Sequence, residues 1–325
     1  MQGKKQKTNW LINKYDPEKG INFKKGENVK VFDMSIEDYH NEIGLSSSSI
    51  KIILQNPQKF YIKYILKKEK NKTERSEALK IGSATHAYLT EREEFKKKYF
   101  IQLEYLNKNT NKYKALAQEV KKSGKEILDK DKFFDLMGMK KSLFNSVIYN
   151  KEDLESAGLN SEKPLKGDYV FTDGYAEKSI FWKDKETGLI LKSRPDYFKI
   201  DGLFNFINDF KTVASAEEND FGRAIYLYGY YIQAAMELDA VFQLTGINGN
   251  FLNSTVEKEY PYCAAFYSYN DALIEMGKES IKKALSIFLE CKKNNEWTSY
   301  QKSMKDISMP YWAENKVGQM VTESF

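Results

Sequence analysis

The stretch that most constrains the fold is residues 204–211, Phe-Asn-Phe-Ile-Asn-Asp-Phe-Lys. In an extended strand, residues two apart share a face. Phe204, Phe206 and Phe210 then project together, while Asp209 and Lys211 leave from the opposite face. Such a strand has to bury its phenyl groups against a packed layer, and its other surface carries a carboxylate beside an ammonium. Just upstream, Ser193-Arg194-Pro195-Asp196 reads as the end of the preceding hairpin strand, which brings Asp196 to a strand end neighbouring Asp209.

The rest of the chain arranges itself around this strand. Residues 1–44 read as irregular, with a short strand near 29–32. Ser46–Ser49 offer N-cap chemistry for a helix from Ile50, and Asn56-Pro57 ends it and restarts a second one. A further helix is predicted over 76–89, two lysine-rich helices over 110–149 around Ser123-Gly124, and a polar loop over 150–166. The periodicity then changes from 3.6 to 2. Residues 169–171, 179–182, 189–193 and 204–211 are strand candidates, followed by a long helix over 216–244. Two more strands, 249–256 and 263–269, precede a helix over 272–292 and an irregular tail. This order predicts an α/β fold with a mixed central sheet flanked by helices and a helical N-terminal part.

Composition excludes several classes. No apolar run approaches the ~20 residues of a membrane span, and the first residues, MQGKKQKTNWLINKY, lack the apolar core of a signal peptide. Two cysteines, Cys263 and Cys291, cannot build a disulfide framework or a four-cysteine metal site, so a reducing cytoplasm is the expected compartment. No G-x-x-x-x-G-K-[ST] loop occurs, so ATP is not an expected ligand. Only four of 51 cationic residues are arginines, and the net charge is +5. Locally the bias is steeper: residues 51–72 hold seven lysines against Glu69, and residues 1–30 hold eight against three acids. Such stretches suit a phosphate backbone, and are also what a solvated, lysine-rich surface looks like.

Two carboxylates and a lysine suit phosphodiester hydrolysis. Hard oxygen ligands hold Mg²⁺ or Mn²⁺, the ion activates water, and an ammonium offsets developing negative charge. A lone Asp-x-Lys triplet reads first as a surface strand with an ion pair, and it is the spacing to Asp196 that favours the metal site. His86 lies four residues after Gly82, so both share one helix face, where a small residue allows close approach of a sheet or a phosphate. The alternative for His86 is a buried, hydrogen-bonded histidine. On the helix over 216–244, Phe221, Ile225, Tyr228, Ile232 and Ala235 form the expected core face, and Arg223, Tyr226, Tyr230, Gln233 and Glu237 a polar stripe.

Pro195-Asp196 followed by Asp209-Phe210-Lys211 resembles the signature of the PD-(D/E)XK nuclease superfamily, and in particular its RecE-type (exonuclease VIII) phage and prophage branch. Leu45–Ile50 with Asn56-Pro57 and Tyr61, the Gly82…His86 helix, residues 177–182 leading into 191–196, and Trp297–Tyr300 with Met309–Ala313 are similar to further motifs of that branch. The resemblance implies a restriction-endonuclease-like core, with a single nuclease domain over 45–313, a helical insertion near 103–166 and a tail over 314–325. It implies Asp196 and Asp209 as metal ligands, joined by the Phe210 backbone carbonyl and His86, with Lys211 as the catalytic lysine. Glu177 and Glu91 would support the site, and Gln233 and Tyr230 would contact the site or DNA. Where related nucleases carry a tyrosine four residues after that glutamine, this chain has Glu237.

The implied activity is a Mg²⁺- or Mn²⁺-dependent exodeoxyribonuclease acting on ends of linear double-stranded DNA, 5′→3′, in recombination in a bacterial or phage-infected cell. The implied partners are a RecT-like single-strand annealing recombinase and further copies of the chain in a ring-shaped homo-oligomer. Two alternatives share the sequence features: a structure- or sequence-specific endonuclease on the same core, and a non-catalytic DNA-binding or assembly protein.

Overall fold

The computed structural model describes residues 12–14, 21, 23–68, 77–200, 202, 204–300 and 304–309. The chain opens with β1 (Ile12–Lys14), β2 (Val29–Asp33), α1 (Ile36–Asn41), α2 (Ser47–Gln55) and α3 (Pro57–Phe60). Next come α4 (Glu77–Thr90), α5 (Arg92–Lys98), β3 (Tyr99–Gln102), α6 (Asn111–Lys122), β4 (Glu126–Asp129), α7 (Lys130–Asn145), β5 (Val147–Tyr149), α8 (Lys151–Ser156) and β6 (Leu165–Lys166). The strand-rich part holds β7 (Tyr175–Ala176), β8 (Ser179–Lys183), β9 (Ile190–Ser193), β10 (Tyr197–Lys199) and β11 (Phe206–Val213). Helices α9 (Glu218–Leu227) and α10 (Tyr230–Thr245), strands β12 (Asn250–Glu257) and β13 (Ala264–Ser268), and helix α11 (Asp271–Asn294) complete it. No described helix is long and apolar enough to cross a membrane.

Two sheets organise these elements: four strands in the order β1-β2-β8-β9, and five in the order β13-β12-β11-β10-β7. The second is mixed, because β11 and β12 run parallel while the other pairs are antiparallel. The chain passes directly from one sheet to the other twice, between β7 and β8 and again between β9 and β10. Asp196 therefore does not end a strand that pairs with β11. It lies in the second crossing, one residue before β10, whose Tyr197 is the register partner of Asn208.

The alternation of β11 is the fold's organising fact. Phe206 and Phe210 are buried with Leu252 and Val256 of β12 against Ala84 and Ala87 of α4 and Leu136, Met139 and Leu143 of α7. Ile207, on the opposite face, is buried with Phe251 against Ile50 and Ile53 of α2, Ile232 and Met236 of α10, and Ala284 and Leu285 of α11. Helices thus cover both faces of the five-stranded sheet. Local chemistry agrees: Ser46 and Ser49 form a capping box at α2, and Asn56 caps α3 with Pro57 in its first turn. Trp297 packs on Phe60, Tyr61 and Phe288, whereas Trp312 lies outside the described residues.

Three local expectations fail for physical reasons. Residues 167–171 form a 3-10 turn rather than a strand, because Gly167, Val170 and Phe171 are buried at helical spacing. The single helix expected over 216–244 is two, broken at Gly229, whose φ of 63° is left-handed. That break turns Tyr228 outward, so it leaves the expected core face while Phe221, Ile232 and Ala235 stay in it. Residues 150–166 also hold more than a loop: Asn150 and Asp153 form a capping box that starts α8, and β6 pairs with β5.

Candidate metal and hydrolytic site

The site lies where the two crossings meet the edge of β11. The crossings touch directly, since the Glu177 N–H donates to the Asp196 carbonyl at 3.2 Å. Glu177 adopts a φ of 52°, a left-handed conformation that a glutamate rarely takes. Arg194 fixes its side chain: Nε donates to Glu177 Oε2 at 2.5 Å, and Nη1 donates to the Met34 carbonyl and Ser179 Oγ, each at 2.8 Å.

His86 approaches from α4. Gly82 permits this, because a Cβ there would stand 3.1 Å from Thr212 Oγ1, so the small residue serves a close helix–sheet contact. His86 Nε2 lies 3.3 Å from Glu177 Oε1 and 3.1 Å from Asp196 Oδ1. The ligand atoms of His86, Glu177 and Asp196 all lie within 4.8 Å of one another. Asp196 is tied to β11 from its other oxygen, Oδ2, which accepts the Phe210 N–H at 2.8 Å.

Asp209 faces the other way, toward α10 and β12. Its Oδ1 accepts from Lys211 Nζ and from Gln233 Nε2, each at 2.6 Å. Its Oδ2 accepts from Asn253 Nδ2 at 2.7 Å, and Asn253 is its register partner on β12. Tyr269 in turn donates to Asn253 Oδ1 at 2.6 Å. Gln233 spends its amide on two carboxyls, because Nε2 also donates to Glu237 Oε1 at 2.8 Å. Lys211 Nζ stands 5.0 Å from the centre of the Tyr230 ring.

The electrostatics follow from burial among mixed charges. Burial alone would lower His86, but the Asp196 and Glu177 carboxylates reverse that and hold it up at about 9. Asp196 resists the upward push of burial and is lowered by His86, Lys211 and the Phe210 N–H. Burial dominates at Glu177 and Asp209, which are raised despite Arg194 and Lys211. Glu237 is 2% exposed and is pushed well up, first by burial and then by Asp209 and Asp196. It is a buried carboxyl that accepts from Gln233, not part of a solvated stripe.

Of the expected site residues, the fold sets His86 and Asp196 in one converging group and Asp209, Lys211, Gln233 and Tyr230 in a second, with the Phe210 N–H bonded to Asp196; Asp209 is not among the three converging ligand groups, and Glu177 moves from the margin to the centre. Glu91 heads α5 and does not join the three converging ligand groups. Sequence reasoning missed Asn253 and Arg194. A polar Asn253-Ser254-Thr255 run in the middle of β12 marks the first, and an arginine in a chain that otherwise uses lysine marks the second.

Residues 46–309 match the family described as a PDDEXK-like domain of unknown function (DUF3799). The chain belongs to this PDDEXK-like family. Among solved structures, the PDDEXK-like chain is similar to a putative exonuclease from Eubacterium rectale. The identity is 14%, with 85% of this chain and 96% of that one covered at a TM-score of 0.51. A likeness at that identity is one of fold. Protein VC1899 from Vibrio cholerae aligns over 82% of this chain and 58% of its own, with 9% identity and a TM-score of 0.21, which carries no argument. Curated proteins give no match. The PDDEXK-like assignment agrees with the mixed α/β architecture and with a nuclease-type core.

Proposed function

We propose that the protein is a metal-dependent exodeoxyribonuclease that digests linear double-stranded DNA from an end. One observation carries this reading: an imidazole and two carboxylates converge within 4.8 Å beside the strand that bears Asp209 and Lys211. The donor set suits a divalent ion, because two carboxylates favour Mg²⁺ or Mn²⁺ and an imidazole is tolerated by Mn²⁺. His86 Nε2, Glu177 Oε1 and Asp196 Oδ1 would hold it, with the Phe210 carbonyl and Asp209 as further ligands implied by the resemblance.

When bound, the ion supplies Lewis acidity at the phosphate and lowers the pKa of water. The chain's own residues do the rest. Lys211 keeps its charge, because Asp209 and Asp196 outweigh the effect of its burial, so an ammonium is always available to an anionic phosphate. Asp209 is oriented in advance by Lys211, Gln233 and Asn253. Arg194 holds Glu177 toward His86. The 5′→3′ polarity, the role in recombination by single-strand annealing, the RecT-like partner and the ring-shaped homo-oligomer rest on the family resemblance.

The test is digestion of 5′-labelled linear duplex, 3′-labelled linear duplex and relaxed circular DNA by the purified chain with Mg²⁺ or Mn²⁺. Release of the 5′ label first, with the circle intact, is expected. A circle cut as fast as the linear forms would replace the exonuclease by an endonuclease. Salt-sensitive binding without digestion under either ion would leave a DNA-binding protein.

A further inference from the structure

Three consecutive large side chains stand in solvent where α9 gives way to α10. Tyr226 is 72% exposed, Leu227 69% and Tyr228 61%. The backbone fixes the group firmly. Gly229 makes the left-handed turn, and a Cβ there would come within 2.8 Å of the Lys51 side chain. Lys51 Nζ donates to the Tyr228 carbonyl at 3.0 Å.

Of these three, Tyr228 is continuous with the site through a file of rings. Tyr267 stacks on Phe221 at 5.3 Å and 17°, Phe221 lies 6.2 Å from Tyr230, and Tyr230 lies 5.6 Å from Tyr228. The file runs from buried Phe221, past the Tyr230 ring that faces Lys211, and ends at a ring in water. Cations flank it: Lys51 and Lys211 on the inner side, and Arg223 on α9, whose side chain is 79% exposed. Aromatic faces at the end of a stack, bordered by positive charge, complement nucleobases joined by phosphates.

We infer that Tyr228, the exposed end of this file, is a stacking platform for nucleobases of the DNA strand next to the cleaved phosphate. The inference rests on the nuclease reading for its substrate. With stacked bases about 3.4 Å apart along a strand, the platform serves bases within about three steps of Lys211. A second copy of the chain is the competing occupant.

The full-length chain is tested in EDTA with short single-stranded and blunt duplex DNA carrying 2-aminopurine near the 5′ end. Wild type and the Tyr228→Phe variant should quench the probe, and Tyr228→Ala should not. Loss of the ring should weaken binding roughly 5- to 150-fold, the equivalent of about 1–3 kcal/mol. An abasic nucleotide at the probe position should weaken wild-type binding comparably and leave the alanine variant unaffected. If wild type digests DNA with Mn²⁺ but the abasic and alanine effects simply multiply, the platform is refuted and the nuclease reading stands. If the effects are coupled but wild type digests nothing, the platform stands and the nuclease reading falls. A shift in sedimentation coefficient on alanine substitution, with DNA coupling absent, assigns the surface to another copy and overturns the inference.

Discussion

Removing Arg194 is the sharpest probe of how the site is held. The Arg194 and Glu177 side chains are only 10% and 13% exposed. Arg194→Met deletes the bond to Glu177 Oε2 and strips the donors from Ser179 Oγ and the Met34 carbonyl. Among the described residues, Glu177 then keeps His86 as its cationic neighbour, at 3.3 Å. Deleting one partner of a buried pair costs about 3–5 kcal/mol, because the remaining charge is stranded away from water. Glu177→Gln strands the guanidinium instead, although Ser179 and Met34 still accept from it, so its cost falls at or below the lower end. The double variant strands no charge. Urea unfolding in EDTA should therefore give a double loss smaller than the sum of the singles by about 2–3 kcal/mol, the coupling expected of residues sharing one network. Additivity within about 0.5 kcal/mol would refute the argument that Arg194 exists to position Glu177.

Three further outcomes follow from the same geometry. Asp209→Asn and Lys211→Met should each lower digestion of linear duplex by at least about a hundredfold, while the near-ultraviolet circular dichroism spectrum stays that of the wild type. His86, raised from 6.5 to about 9, adds stability that is complete below pH 6.5 and is lost as pH climbs through 9. In EDTA the difference in unfolding free energy between wild type and His86→Gln should fall by about 3 kcal/mol across that window, and a flat difference would exclude a protonated His86. The difference cancels Lys192, which burial lowers to about 8 in both proteins. Gly229→Ala should cost about 1–2 kcal/mol by thermal or urea unfolding, from its left-handed φ and the Lys51 contact.

The sequence made β11 legible because two kinds of side chain alternate in it without interruption. It made α2 and α3 legible because serine and Asn-Pro are local signals that need no tertiary context. Gly229 was not legible as a break, since a lone glycine inside an apolar helical pattern is tolerated in many helices. Glu177 could be placed near the site by motif but not as a converging ligand, because a residue at φ 52° after a two-residue strand follows no period. Glu237 sat on a stripe that looked solvated, and only the packing of α2 and α11 on α10 shows that stripe dipping under the surface. Asn253 and Asp209 are 44 residues apart, and parallel register alone brings them side by side.

Glu177 and Asp196 occupy the two points at which the polypeptide passes directly between these sheets, and each lies within two residues of a strand end. An ion gripped by both would act as a rivet through a seam, anchored from outside by His86. The two halves could not slide apart without shedding it. Saturation with Mn²⁺ at a hundred times its dissociation constant should then add about 2.7 kcal/mol, and it should make the halves melt together.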